Sequence, residues 1–563
     1  MPTRASLGAL FGLLLLLAVT VGEASATPYR VTAVEYVVVF KKGVLPAAAE
    51  RAIRASGGTI VRVNGKIGVA TALSRNPGFV SAVGRRAVLA GVARSIPVGY
   101  SKPELQPSRH ARGALALREG LATTRDIEDD PFGHLQWDMK MINAYPDGSY
   151  KLQQGDPRVL VGIIDTGIDG SHPDLAANFS RELSRNFTTD IPLVDGPCEE
   201  EPDRSCSDPA DVDEGAHGTH VAGTVGAALN GLGIAGVAPK VTLVNLRAGQ
   251  DSGYFFLQAS LDALTYAGDT GIDVVNMSYF IDPWLYNCRS NPGDSPAEQL
   301  EQRTVIEATQ RALDYARSRG VTLVAALGND ATDLGNPTSD EQSPNFPPGN
   351  DRTRTVDNSC LDVPTESEGV ISVSALGPSE VKADYSNWGV EQTDVSAPGG
   401  FFRDWLSPYG SRSLRNLVLS TYPESVAREF EEIDETGAPT TPFVLRDCED
   451  GICGYYTYFQ GTSMAAPHAT GVAALIVSQY GRLDRSGGLT LDPSETERIL
   501  KETARDHACP EPRLFSYAPA QRGPEYDAFC EGTPELNGFY GHGIVDALAA
   551  VGGPQEGDGD LDD

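Results

Sequence analysis

Positive charge is what this sequence lacks most. Lys and Arg number 45 against 76 Asp and Glu, a formal net charge of −31. That excludes a general nucleic-acid binder, whose affinity rests on Lys and Arg neutralising phosphates. C-x-x-C pairs are also absent, so the cysteines do not read as a zinc framework. Past residue 26 no stretch approaches 18 uninterrupted apolar residues, and nothing there is expected to span a membrane. A wholly disordered chain is excluded as well, because 40% of residues are hydrophobic and only 21% charged, enough for a sizeable core. At roughly 100–200 residues per domain, the length allows two to four domains or one large domain with additions.

The shortage of positive charge is uneven. Residues 1–128 carry +10 and residues 129–563 carry −41. A basic front is joined to a strongly acidic body. The front begins like an export signal over residues 1–26. Arg4 is followed by an apolar run from Leu7 to Val21 and by Ala24-Ser25-Ala26 as a cleavage site. Export suits the eight cysteines, an even number, all in the acidic body. Proximity predicts Cys198–Cys206 and Cys448–Cys453. The remaining connectivity stays open, since eight cysteines allow about 105 pairings.

Residues 27–100 contain a small unit. A β-branched strand at Glu35–Lys41 precedes a helix at Pro46–Ala55, which has Pro at its start and Gly57-Gly58 after its end. Strands at Thr59–Val63 and Ile67–Thr71 flank Asn64-Gly65, a hairpin signal. A helix at Pro77–Val83 and a strand at Ala87–Val92 complete a β-α-β-β-α-β, ferredoxin-like order. Residues 101–130 read as a linker, with Pro103, Pro107 and several Arg but no apolar period.

The body, residues 131–550, reads as α/β. Apolar runs at Val159–Ile164, Val241–Leu246, Val274–Met277, Val321–Ala326 and Val370–Ala375 suit buried parallel strands. Helical stretches such as Leu257–Ala267 and Glu301–Ser318 alternate with them, predicting a parallel sheet with helices on both faces. Such sheets place ligands beyond the carboxyl ends of their strands. Asp165-Thr-Gly-Ile-Asp169 directly follows the first run, and Ala325-Ala-Leu-Gly-Asn329 ends another. His217-Gly-Thr-His-Val-Ala-Gly-Thr224 and Gly461-Thr-Ser-Met-Ala-Ala-Pro-His468 each open a helical run, with Pro467 expected in the first turn. An Asp, a His and a Ser can form an oriented nucleophile. Ser463 attacks, His217 takes its proton, and Asp165 fixes the imidazole. The Asn329 amide can donate to the oxyanion that forms. His220, at i+3 from His217 and without the Glu of the zincin pattern, reads as structural.

These segments resemble the subtilisin-like serine peptidases, the subtilase family, over roughly residues 130–550. Gly236-Val-Ala-Pro239, Ser396-Ala-Pro-Gly399 and Gly541-His-Gly-Ile-Val-Asp-Ala547 add to the likeness. The resemblance implies Asp165, His217 and Ser463 as the triad and Asn329 as the oxyanion donor, in the family's chain order. It also implies that the basic front unit is an inhibitory propeptide that assists folding and is then cut away.

Three rivals fail. An aspartic peptidase could pair Asp165-Thr-Gly167 with Asp269-Thr-Gly271, but the second copy follows a helical stretch and the His217 and Ser463 blocks would have no purpose. An α/β-hydrolase needs G-x-S-x-G, and Ser463 lies in G-T-S-M-A. A silent binding scaffold would not keep a complete triad.

The chain also departs from the family pattern. Where subtilases carry a Ser-Leu-Gly-Gly substrate segment, this chain reads Ser278-Tyr-Phe-Ile281. Ser278, Tyr279 and Phe280 are therefore candidate substrate-binding residues, and the aromatics predict a narrower or more apolar groove. Insertions at 182–213, 331–360 and 425–453 are expected around the cleft. Subtilases often hold Ca²⁺ before the Gly-Val-Ala-Pro segment, but Ala228–Gly233 offers only Asn230. The acidic loop with Glu199, Glu200, Glu201, Asp203 and Asp208 reads as a solvated charge run that could also ligate a hard cation. The Gly/Asp-rich tail, 551–563, is expected to be disordered.

The sequence thus predicts a secreted, extracellular serine endopeptidase made as an autoprocessed zymogen. It would act on protein or peptide substrates, with its own propeptide as inhibitor. Catalysis needs no cofactor, and structural calcium is left open. No nucleic acid is involved, and no membrane once the signal is removed.

Overall fold

The structure, a computed structural model, describes residues 33–95 and 130–553 except 193, 199–203, 282, 346–348 and 484–486. The export signal, the linker up to residue 129, the tail from 554, and Glu199, Glu200, Glu201 and Asp203 lie outside the described residues.

The front unit has the expected order: β1 (Val34–Phe40), α1 (Pro46–Ala55), β2 (Thr59–Asn64), β3 (Val69–Ser74), α2 (Phe79–Gly84) and β4 (Leu89–Arg94). Its antiparallel sheet runs β2-β3-β1-β4. The β2–β3 turn is longer than an Asn-Gly hairpin. Asn64 pairs with Val69, and Gly68 takes φ +68°, while Ile67 is buried. Strand β1 shows why Val37-Val38-Val39 does not alternate with polar residues. Val38 and Phe40 pack with Ile53 and Phe79 of the unit's own helices. Val37 and Val39 pack with Leu261 and Val305 of the body. A strand covered on both faces is apolar throughout.

The body is built on β5 (Leu160–Ile164), β6 (Arg185–Asn186), α3 (His217–Gly226), β7 (Thr242–Arg247), α4 (Leu257–Thr270), β8 (Val274–Met277), α5 (Pro296–Ser318), β9 (Thr322–Ala326), β10 (Val370–Leu376), β11 (Val395–Pro398) and α6 (Thr462–Tyr480). Seven strands form one parallel sheet, β11-β10-β9-β8-β5-β7-β6. Successive residues of β9 face opposite cores: Val324 and Ala326 share one with α3 and α6, Leu323 and Ala325 the other with α4 and α5. The sequence missed β11, whose run is short and ends on Pro398; proline is tolerated on an edge strand because that side needs no donor. Strand β5 lies between β7 and β8, so the order reverses there. The carboxyl end of β5 is the switch point at which such sheets hold ligands.

All eight cysteines are paired. Cys198–Cys206 and Cys448–Cys453 are joined by Cys288–Cys360 and Cys509–Cys530. Among the described residues no helix is long and apolar enough to cross a membrane.

The front unit lies across α4 and α5. Arg62 pairs with Asp262, Lys66 with Asp269 and Arg94 with Glu301. Asn64 Nδ2 donates to Thr265 Oγ1 at 3.0 Å and Thr71 Oγ1 to Gln258 Oε1 at 2.6 Å. At Gly91 an added Cβ would stand 2.2 Å from Thr304 Oγ1, so the close approach requires glycine there. Asp269, offered above as half of an aspartic pair, is at the end of α4, where it binds Lys66 and accepts from Tyr315 Oη at 2.6 Å.

Candidate active site

Asp165 leaves the end of β5 fully buried. Its Oδ1 accepts from Thr166 N at 2.8 Å and lies 2.7 Å from His217 Nδ1. That contact fixes the tautomer: Nδ1–H donates to the carboxylate, leaving Nε2 as the free base. Burial disfavours a charged His217, but the attraction of Asp165, their hydrogen bond and the more distant Asp213 outweigh it. The imidazole pKa is raised above its ordinary value.

His217 opens α3, and Asp213 sets where that helix begins. One carboxylate oxygen of Asp213 accepts from Gly215 N, Ala216 N and Thr166 Oγ1, the other from Thr219 N and Thr219 Oγ1. Gly218 brings helix and strand together, because a Cβ there would stand 2.1 Å from Gly167 O. Asp213 was missed in the sequence.

Ser463 lies in the first turn of α6, where backbone N–H groups have no partner within the helix. Its Oγ donates to Ser278 O at 3.3 Å. Asn329 follows β9. Its Oδ1 accepts from Thr462 N and Thr462 Oγ1, each at 2.9 Å. With the carbonyl end held, the Nδ2 hydrogens are left to donate elsewhere. Thr462 is thus an orienting residue that the sequence did not single out.

His217, Asn329 and Ser463 line one cavity of about 270 Å³. The arrangement can activate a hydroxyl, carry its proton and stabilise a new oxyanion.

Pro467 corrects one expectation. Helix α6 starts at Thr462, so Pro467 is in the second turn, not the first. It removes the N–H that would have bonded Ser463 O. Ser278 Oγ donates to that carbonyl instead, at 3.1 Å. Ser278 in turn accepts from Asn276 Nδ2 at 2.9 Å.

The substrate-segment residues therefore divide. The Ser278 side chain is buried and braces the turn at Ser463. Tyr279 borders the cavity, but its ring turns inward and stacks on Phe255 with centroids 4.2 Å apart. Phe280 is partly buried at the cavity wall. Of the three insertions, 331–360 contributes Gln342 to this wall.

His220 is buried, with Nε2 3.2 Å from both Val418 O and Thr457 O, and burial with the nearby His217 lowers its pKa to about 3. It stays neutral and structural. The calcium expectations meet occupied groups. Asn230 Oδ1 accepts from Leu232 N at 2.9 Å. Asp208 lies 2.5 Å from the buried Arg247, which also faces Asp190 and Asp251. Those three carboxylates lie within 4.8 Å of one another beside the Arg247 guanidinium.

Comparison with known proteins agrees. The nisin leader peptide-processing serine protease NisP of Lactococcus lactis subsp. lactis is 30% identical over 389 residues, 68% of this chain. The chain spans about half of that relative, 49%. Subtilisin DY of Bacillus licheniformis is 29% identical over 350 residues, 62% of this chain and 83% of the relative. The crystal structure of an epidermin leader peptide-processing serine protease from Staphylococcus aureus shares the fold with a TM-score of 0.59 at 22% identity, covering 92% of this chain and 98% of that one. The model of the Subtilase family matches residues 156–543, more than half the sequence, so the chain belongs to the subtilase family.

Proposed function

We propose that the chain is a secreted serine endopeptidase, made as a zymogen that processes itself. The observation that carries this reading is the 2.7 Å contact of His217 with Asp165, in a cavity shared with Ser463 and Asn329. Ser463 Oγ attacks the scissile carbonyl carbon as His217 Nε2 takes its proton. The carbonyl oxygen becomes an oxyanion, held by Asn329 Nδ2 and the Ser463 N–H at the positive end of α6. Collapse breaks the C–N bond, and His217 returns the proton to the leaving amine. Water then attacks the acyl-enzyme by the same route in reverse. No step needs a cofactor. Substrates are proteins or peptides, in keeping with the leader-peptide relatives.

Asn329→Ala tests the oxyanion role. It should lower kcat by about 10²–10³-fold with KM nearly unchanged, the size known for loss of this donor in subtilisin. A loss carried wholly by KM would mean that Asn329 only binds ground-state substrate.

The front unit is read as the inhibitory propeptide, released by cleavage within 101–130. Residues 27–100 carry +9, and the three ion pairs to α4 and α5 all place the cation on the front unit. Opposite charge speeds association more than it strengthens contact. Raising NaCl from 0.1 to 1 M shortens the screening length from about 10 Å to about 3 Å. Inhibition of the mature enzyme by added front unit should therefore weaken with salt, most of it in the association rate. A flat salt series would assign docking to the apolar contact of Val37 and Val39 and the neutral hydrogen bonds of Asn64 and Thr71.

A further inference from the structure

The cavity at Ser463 contains carboxylates that the proposed chemistry does not use. Asp330 and Asp362 line it together with the nucleophile. Asp330 is engaged, since its Oδ1 accepts from Gln342 Nε2 at 2.5 Å. Asp362 is different. It is only 2% exposed, and among the described residues its Oδ1 has no hydrogen-bond partner. A buried polar atom without a partner is costly and uncommon. Its Oδ2 lies 3.3 Å from where a Cβ on Gly328 would stand, and Gly328 directly precedes Asn329. The carboxyl is thus beside the residue that precedes the proposed oxyanion donor.

Among the described residues no cation serves it. The buried Arg354 is committed to Asp294 and Asp340. Among the described residues no ion pair reaches Asp330, Asp362 or Glu366. Burial first, then Glu366, Asp330 and Asp340, hold the Asp362 carboxyl well above the usual carboxylate range. A cation entering the cavity would reverse that balance. The walls also suit a long basic side chain. Phe280, Leu285 and Met464 line the cavity and offer apolar surface for an aliphatic stem while its charged head reaches the acid.

We propose that this cavity receives the side chain on the acyl side of the scissile bond and selects a basic residue, arginine or lysine, with Asp362 as its counter-charge. Asp362 is then a specificity residue. It bonds the side chain and leaves the reacting atoms to Ser463, His217 and Asn329. A carboxylate can meet a guanidinium through two parallel hydrogen bonds and an ammonium through one, so arginine should be favoured over lysine. The inference rests on the serine-peptidase reading.

The test uses fluorogenic peptides identical except for that residue: arginine, lysine, citrulline and phenylalanine. Citrulline keeps the shape of arginine without its charge. Processed protein is first titrated with a fluorophosphonate to count active Ser463. kcat/KM for arginine should exceed that for citrulline by about 10²-fold or more, the range expected when one side of a buried charge pair is removed. Asp362→Asn should shrink that ratio at least about tenfold, and Asp362→Glu should restore part of it. Citrulline or phenylalanine turned over as well as arginine by titrated protein would overturn the specificity proposal and leave the peptidase reading standing. Cleavage with no titratable Ser463 would overturn the peptidase reading itself. The comparison on unmodified protein holds whether or not the Asp362 variants fold.

Discussion

Ser463→Ala should lower turnover by about 10⁶-fold, the size known for loss of the same nucleophile in subtilisin. Alanine fits the first turn of α6 without strain, and the site around it is held by other groups. Thr462 still orients Asn329, and Ser278 still braces the carbonyl at position 463. The variant should therefore fold and bind substrate, with the loss in kcat. Expressed as the full chain in a host without other proteases, it should also accumulate with its front unit covalently attached. Turnover within about tenfold of the unmodified protein, or normal processing of the variant, would place the chemistry elsewhere. Rate assays of purified protein and intact-mass measurement read both outcomes.

Asp165→Asn should lower kcat by about 10⁴-fold, because an amide can hold the imidazole in the wrong tautomer and cannot stabilise the imidazolium. The pH profile separates this from a merely structural loss. His217 must be neutral to act as a base, so activity is present above its folded-state pKa and lost as pH falls through it. Asp165 and Asp213 together hold that pKa above the ordinary value, of about 6.5. The acid limb of kcat/KM should accordingly lie above pH ~6.5. In Asp165→Asn the largest attraction is gone while burial remains, so the limb should move to lower pH. A limb that stays in place or moves up would mean that Asp165 does not set the charge state of His217.

The sequence made the strands and the Asp165, His217 and Ser463 blocks legible because each carries a local signature. Apolar runs such as Val159–Ile164 mark strands buried on both faces, and the residues beyond their carboxyl ends are the ones that can meet at a switch point. Asp213 was not legible. Its role comes from five hydrogen bonds that exist only once the loop before α3 has closed. Pro467 was misplaced because a helix start and the residue that tolerates proline are set by Gly461 and Thr462, six and five positions earlier. Tyr279 was expected in the groove, but strand direction alone does not reveal that Phe255 waits on the other side. Asp362 was invisible for a different reason. Its cavity is assembled from β9, the 331–360 insertion and the turn before β10, and no stretch of sequence shows them together.

Labelling with a serine-directed fluorophosphonate, followed by mapping the adduct by mass spectrometry, shows whether Ser463 is an activated nucleophile. The reagent mimics the tetrahedral adduct and reacts only with a serine activated by a neighbouring base. One adduct is expected per processed molecule, on Ser463, and none when His217 is replaced by alanine. An adduct on another residue, or a folded protein that is not labelled and whose cleavage is blocked by pepstatin in acid, would contradict that role.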